Sequence, residues 1–166
     1  RRTPILLAAI SLDLFAVLFG GAVALLPVIA EERLGVGDIA YGWLRAAGGI
    51  GAASMAAFLA IRPLRRNVGR MLLVAVALFG IGTVVLGITR SFVVAFVAVL
   101  VLNAADMISV YVRQTVIQTA TPDAMRGRVA AVNLAFIGVS NELGEFESGA
   151  VAAWLGSVAS VVVGGV

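Results

Sequence analysis

The sequence predicts an all-α protein, a polytopic bundle of transmembrane helices, and three observations predict it. Hydrophobic residues make up 61% of the chain and charged residues 13%, against roughly 45–50% and about 25% in soluble domains. Residues 14–30, 46–61, 71–89, 91–105, 129–141 and 148–166 contain no Asp, Glu, Lys or Arg, and a spanning helix takes about 20 mainly apolar residues. The charges gather between these stretches, and arginine favours one side of them. A soluble protein with a very apolar core is the alternative that this composition weighs against.

Extended to their natural boundaries, the stretches give spans at about 4–30, 41–61, 71–89, 92–120 and 129–155, with a partial sixth from 158 to 166. Together they form a single transmembrane domain over 1–166 with no room for a soluble catalytic domain. The first apolar run is too long for a signal peptide and no small-residue cleavage site follows it. Pro27, near the outer end of that span, kinks or ends the helix. In the second span Gly48, Ala52 and Ala56 repeat every four residues, as do Gly49, Ala53 and Ala57. Such small residues let helix backbones approach closely in lipid. Gly80, Gly82 and Gly87 suggest similar contact in the third span, and packing is the preferred reading over substrate contact.

Alternating the loops between the two membrane faces puts Arg1, Arg2, Arg62, Arg65, Arg66, Arg70, Arg126 and Arg128 on one side. The other side receives Arg33 and Arg90 with Glu31, Glu32 and Asp38. Cytoplasmic loops carry the arginine excess, so the N-terminus and the 62–70 and 121–128 loops are expected in the cytoplasm. The net charge of +3 therefore orients the protein and implies no nucleic-acid partner. Histidine and cysteine are absent, which removes imidazole and thiolate chemistry. Neither a Gly-x-Ser-x-Gly elbow nor metal-ligand spacing occurs, so no enzyme activity, catalytic residue, metal or cofactor is expected. All twelve basic residues are Arg, which with the excess of Ala, Val and Gly reads as coding bias of a GC-rich genome.

Charges inside the spans carry the functional argument. Asp13 lies nine residues after Pro4, hence ~14 Å deep and close to the midplane. Asp106 lies ~22 Å from the outer end of the fourth span. Arg113 follows at i+7 on nearly the same face, ~10 Å further along. The two cannot pair directly on one straight helix, so each needs a partner elsewhere. Asn103 extends the stripe by one turn. Arg45, about one turn inside the second span, is placed to snorkel.

The fifth span is the most acidic. Asn141, Glu145 and Ser148 share a face, with Glu142 within about 60° of Glu145. A carboxylate near the bilayer interior costs at least ~2.5–3.5 kcal/mol on insertion scales. Glu147, ~28 Å in from Arg128, reads as a solvated interfacial group. Glu142, ~21 Å in, and Glu145 stand between two readings. Either they bond to a neighbouring helix, with Arg45 a partner in the same outer half, or they handle protons or substrate.

Three stretches carry a resemblance that covers essentially the whole chain. They are SLDLFAVLFGGAVALLPV (Ser11–Val28), IRPLRRNVGRML (Ile61–Leu72), and ATPDAMRGRVAAVN with SNELGEFESG (Ala120–Asn133 and Ser140–Gly149). The chain resembles the C-terminal half, helices seven to twelve with the last cut short, of a bacterial major facilitator superfamily transporter. The branch is that of the enterobactin exporter and macrolide-efflux permeases. Such transporters pair two six-helix halves around a midplane substrate site. The resemblance implies proton-antiport efflux of a small organic molecule such as a siderophore or drug. It further implies a bacterial inner-membrane location, a lipid bilayer around the chain and an N-terminal six-helix half as partner.

On that reading Asp13 and Asp106 line the cavity or couple protons, and Arg113 gates or faces an anion. Asn103, Asn141, Glu142 and Glu145 complete the polar set. In the basic loop the family's Asp is missing before Arg65, Arg66, Asn67, Val68, Gly69 and Arg70. Only Gly69, as a tight turn, and Arg70, as a helix cap, therefore carry over, with Arg126, Gly127 and Arg128 in the next cytoplasmic loop. The rival function is a non-transporting assembly or regulatory subunit whose intramembrane charges only pair helices.

Overall fold

Proline and glycine set where the helices begin and end. The computed structural model describes residues 25–64 and 68–165. Asp13, most of the first predicted span and residues 65–67 of the basic loop lie outside them. A short turn at Leu26–Val28, carrying Pro27, runs into a π-helical segment at Ile29–Arg33. There the Leu34 N–H reaches back five residues to Ile29 O at 3.1 Å, and the Val36 N–H reaches Ala30 O at 3.1 Å. Gly35, at φ +58°, supplies the left-handed residue that this exit requires.

Helix α1 (Asp38–Ile61) starts after extended Gly37, with Asp38 in its first turn against the positive end of the helix dipole. It stops at Arg62, which sits at φ −125°, ψ 77° because Pro63 disfavours helical backbone before it. Helix α2 spans Val68–Ile88 and α3 spans Phe92–Ala120. The latter ends the same way, with Thr121 extended ahead of Pro122. A 3-10 turn at Asp123–Met125 leads into α4 (Arg126–Leu155). Gly156, at φ +88°, breaks the chain before α5 (Ser157–Gly165).

The fold is all-α, with no strand among the described residues. Helices α1, α2 and α3 are long and apolar enough to cross a membrane. Helix α4 is longer than any of them but falls outside that group, because Asn141, Glu142, Glu145 and Glu147 dilute its apolar run. Helices α1, α2 and α4 each begin about one turn ahead of the apolar stretch, at Asp38, Val68 and Arg126. Apolarity marks what lipid tolerates, whereas caps and dipoles mark where the backbone winds.

Helix α3 is the centre of the bundle. It packs along both α1 and α2, α2 packs on α5, and α5 on α4, while α3 and α4 meet only slightly. One apolar cluster gathers Leu25, Leu26, Ile29 and Ala30 with Leu44 and Ala47 of α1, Leu86 of α2, Ala95, Ala98, Val99 and Leu102 of α3, and Val161 of α5. The tightest approach is at Gly51, where a Cβ would collide with the backbone carbonyl of Leu100. At Gly48 a Cβ would meet the Asn103 amide at 3.1 Å, at Gly82 the Leu102 side chain at 3.1 Å, and at Gly87 Val161 at 3.0 Å.

The packed face of α1 therefore runs through Leu44, Ala47, Gly48, Gly51 and Leu59, alternating three- and four-residue steps. The second stripe read from the sequence, Gly49, Ala53 and Ala57, is exposed, with open space beside Gly49. Large apolar side chains point outward, including Ile39, Ile81, Phe146, Trp43 (58% exposed) and Trp154 (90% exposed). Overpacking a helix contact costs typically 1–3 kcal/mol, and backbone is the least able to give. Gly51→Val is expected to lower thermal stability in detergent by about that much or more. Gly49→Val is expected to leave it unchanged, and the pair of melting curves checks the assignment.

Candidate functional site

Below the apolar cluster the inward face of α3 turns polar. Asn103 and Asp106 are half-buried, while Ser109 and Arg113 are buried, the latter 8% exposed. Steps of three and four residues keep Asp106, Ser109 and Arg113 on the helix face that carries Ala95 and Leu102. The stripe read from the sequence is thus a continuation of the core face, with Ser109 as a member that sequence reasoning missed. Its spacing from Asp106 (i+3) and Arg113 (i+4) is the signal that finds it. The Asn103 Nδ2 donates to Val99 O at 2.8 Å, one turn back on its own helix, and the amide rests against Gly48. Asp106 forms neither an ion pair nor a hydrogen bond among the described residues.

Helix α4 presents its own polar surface. Ser140, Gly144 and Ser148 are buried at four-residue spacing, and Ser160 Oγ of α5 donates to Ser148 O at 2.8 Å. That small-residue face packs, so Asn141, Glu142 and Glu145 are left exposed and Glu147 is half-buried. Ser148 therefore sits at the packed edge of the helix face that it shares with Asn141 and Glu145. Arg45 is exposed and donates through Nη1 to Tyr41 Oη at 3.1 Å on its own helix. No ion pair joins Arg45 to Glu142 among the described residues.

The loop motifs are helical starts. Gly69 and Arg70 lie exposed in the first turn of α2, so Gly69 takes helical backbone and not a tight turn. Arg126, Gly127 and Arg128 form the first turn of α4, also exposed. There Arg126 Nη2 pairs with Asp123 Oδ1 at 2.8 Å, with the side chains 55% and 87% exposed. Exposed pairs of this kind contribute ~0–1 kcal/mol. Arginines at a helix N-terminus oppose the dipole, and Asp123 offsets that locally.

An apolar groove of about 330 Å³ runs between α2 and α3, lined by residues such as Leu78, Ile81, Val85, Val93 and Val97. It opens outward on the side of α3 away from Asp106 and carries none of the polar groups. Among the described residues no three His, Cys, Asp or Glu side chains gather in a metal-binding arrangement.

Apolar helices of spanning length, meeting at glycine and carrying polar side chains along one buried face, define a multi-pass membrane protein of the transporter class. Residues 3–166 match the family described as transmembrane secretion effector, within the major facilitator superfamily, and the chain belongs to that family. Comparisons with curated proteins and with solved structures gave no significant match. The geometry around Arg45 has a direct test. In a double-mutant cycle, Arg45→Glu combined with Glu142→Arg is expected to show no mutual rescue of stability. The coupling should stay within the ~0.3–0.5 kcal/mol found for independent sites.

Proposed function

We propose that the chain is one six-helix half of a secondary active transporter that exports a small organic molecule by proton antiport. The observation that carries this reading is the exposure of Asn141, Glu142 and Glu145 on α4, in a protein of spanning helices. Carboxylates at that depth would cost at least ~2.5–3.5 kcal/mol each against acyl chains. Their face accordingly meets water or the other half of the transporter. The half-buried Asp106, free of partners among the described residues, adds a second group able to take up and release a proton.

Substrate would then occupy the space between the two halves at the midplane, as the superfamily's architecture allows. Asp13, read from its chain position, and Asp106 are the coupling residues in this proposal. Arg113 gates the path or faces an anionic group, and Asn103 positions α3 against α1. Glu142, Glu145 and Asn141 line the water-accessible side. The membrane is the bacterial plasma membrane, with the N-terminus in the cytoplasm as the arginine distribution favours. The cargo class, a siderophore or hydrophobic drug, rests on the resemblance to the enterobactin-exporter and macrolide-efflux branch.

In inverted vesicles carrying the full-length transporter, Asp106→Asn and Asp13→Asn are each expected to reduce proton-driven efflux at least about tenfold. That equals ~1.4 kcal/mol of lost coupling. Membrane abundance should match that of the parent. Efflux that survives both substitutions intact removes the coupling assignment.

A further inference from the structure

Arg33 stands where three elements meet at one end of the bundle. It is the last residue of the π-helical segment Ile29–Arg33. Its Nη2 donates to Gly87 O at 3.1 Å and to Ile88 O at 3.3 Å, at the C-terminal end of α2. Val85 O is taken by the Thr89 N–H at 3.0 Å, and the two carbonyls that Arg33 holds lie beyond it. A cation there satisfies helix-end acceptors and meets the negative end of the helix dipole. The guanidinium lies at the edge of the bundle, half-buried, with its Nε buried and without a hydrogen-bond partner. Gly87 lacks a side chain where Val161 closes in, so α5 braces the same point.

Directly beneath lies the apolar cluster in which Leu25, Leu26, Ile29 and Ala30 press against Leu86, Ala95, Val99 and Val161. The polar stripe of α3 lies further along that helix, on the far side of this seal. The segment that bears Arg33 is wound as a π turn. A π turn takes up one residue more than an α turn, so return to α register rotates everything after it by about 100°. Arg33 would then point away from the α2 carbonyls.

We propose that Arg33 and the π turn form a latch. In the closed state the guanidinium ties the end of the first span to α2 over the apolar seal. Release of its two bonds, with the turn rewinding to α register, opens a path from that end to Asp106, Ser109 and Arg113. The inference rests on hydrogen-bond geometry and on the arginine-based sidedness that makes this the outer end. It does not require that the cargo or the coupling ion be as proposed above.

The chain contains no cysteine, so a single Ala95→Cys in the full-length transporter reports on the seal. Right-side-out vesicles are treated with a membrane-impermeant maleimide. Arg33→Ala is expected to raise the labelling rate at least about tenfold, the ratio that follows from losing one charge-assisted hydrogen bond. Arg33→Lys, which keeps a donor on the carbonyls, is expected to stay near the parent rate. A second reporter, Ala75→Cys, sits buried on α2 away from the latch, and Arg33→Ala should leave its labelling unchanged. An unchanged rate at position 95, or an equal rise at 95 and 75 that marks general loosening, overturns the latch. Labelling of position 95 only from the cytoplasmic face overturns its placement on the outer side.

Discussion

In lipid the helices gain nothing by hiding apolar surface from one another, so what holds them together is how near their backbones come. The approach of Gly51 in α1 to the Leu100 carbonyl of α3 is the closest of these contacts, and other features depend on it. It fixes the distance at which Gly48 can receive the Asn103 amide, at the level where α3 changes from apolar to polar. On the other flank Gly82 lets Leu102 fill the joint with α2, and Gly87 admits Val161 of α5. Each small residue gains dispersion contacts that are weak singly and large in sum. A side chain at Gly51 would have to move a helix, whereas at Gly48, Gly82 or Gly87 it would crowd a neighbouring side chain.

The result is a bundle layered by polarity along α3. One end is sealed by Leu, Ile, Val and Ala from five segments, and the deeper stretch of the same helix face carries Asn103, Asp106, Ser109 and Arg113. Helix α4 follows a different rule. It is held through Ser140, Gly144 and Ser148 against α5 and touches α3 slightly, which leaves its glutamates on an open face. Helix α4 thus keeps one side tightly anchored and the other side charged.

Much of this was legible from residue order. The uncharged stretches identify the helices, and Pro63, Pro122 and Gly156 mark the places where helices stop. Facing was less legible, because it depends on neighbours. A strict four-residue rule picked out Gly49, Ala53 and Ala57, which are exposed, and passed over Gly51, which alternating three- and four-residue steps would have reached. The same small-residue signal is present at Ser140, Gly144 and Ser148, masked in the residue order by the three glutamates beside it. The π turn at Ile29–Arg33 left no mark beyond Pro27 upstream and Gly35 downstream. Its extra residue comes from how Arg33 and the buried Ile29 settle against α2, which is a tertiary preference.

The two exposed tryptophans carry an optical consequence. Trp43 lies near the start of α1 and Trp154 near the close of α4, and both rings are exposed. Indole rings favour the headgroup layer, where an apolar body and a polar N–H are both accommodated. Because the chain has no other tryptophan, its indole emission arises from these two helix ends alone. Intrinsic fluorescence of the chain is thereby a built-in probe of how the start of α1 and the close of α4 meet lipid.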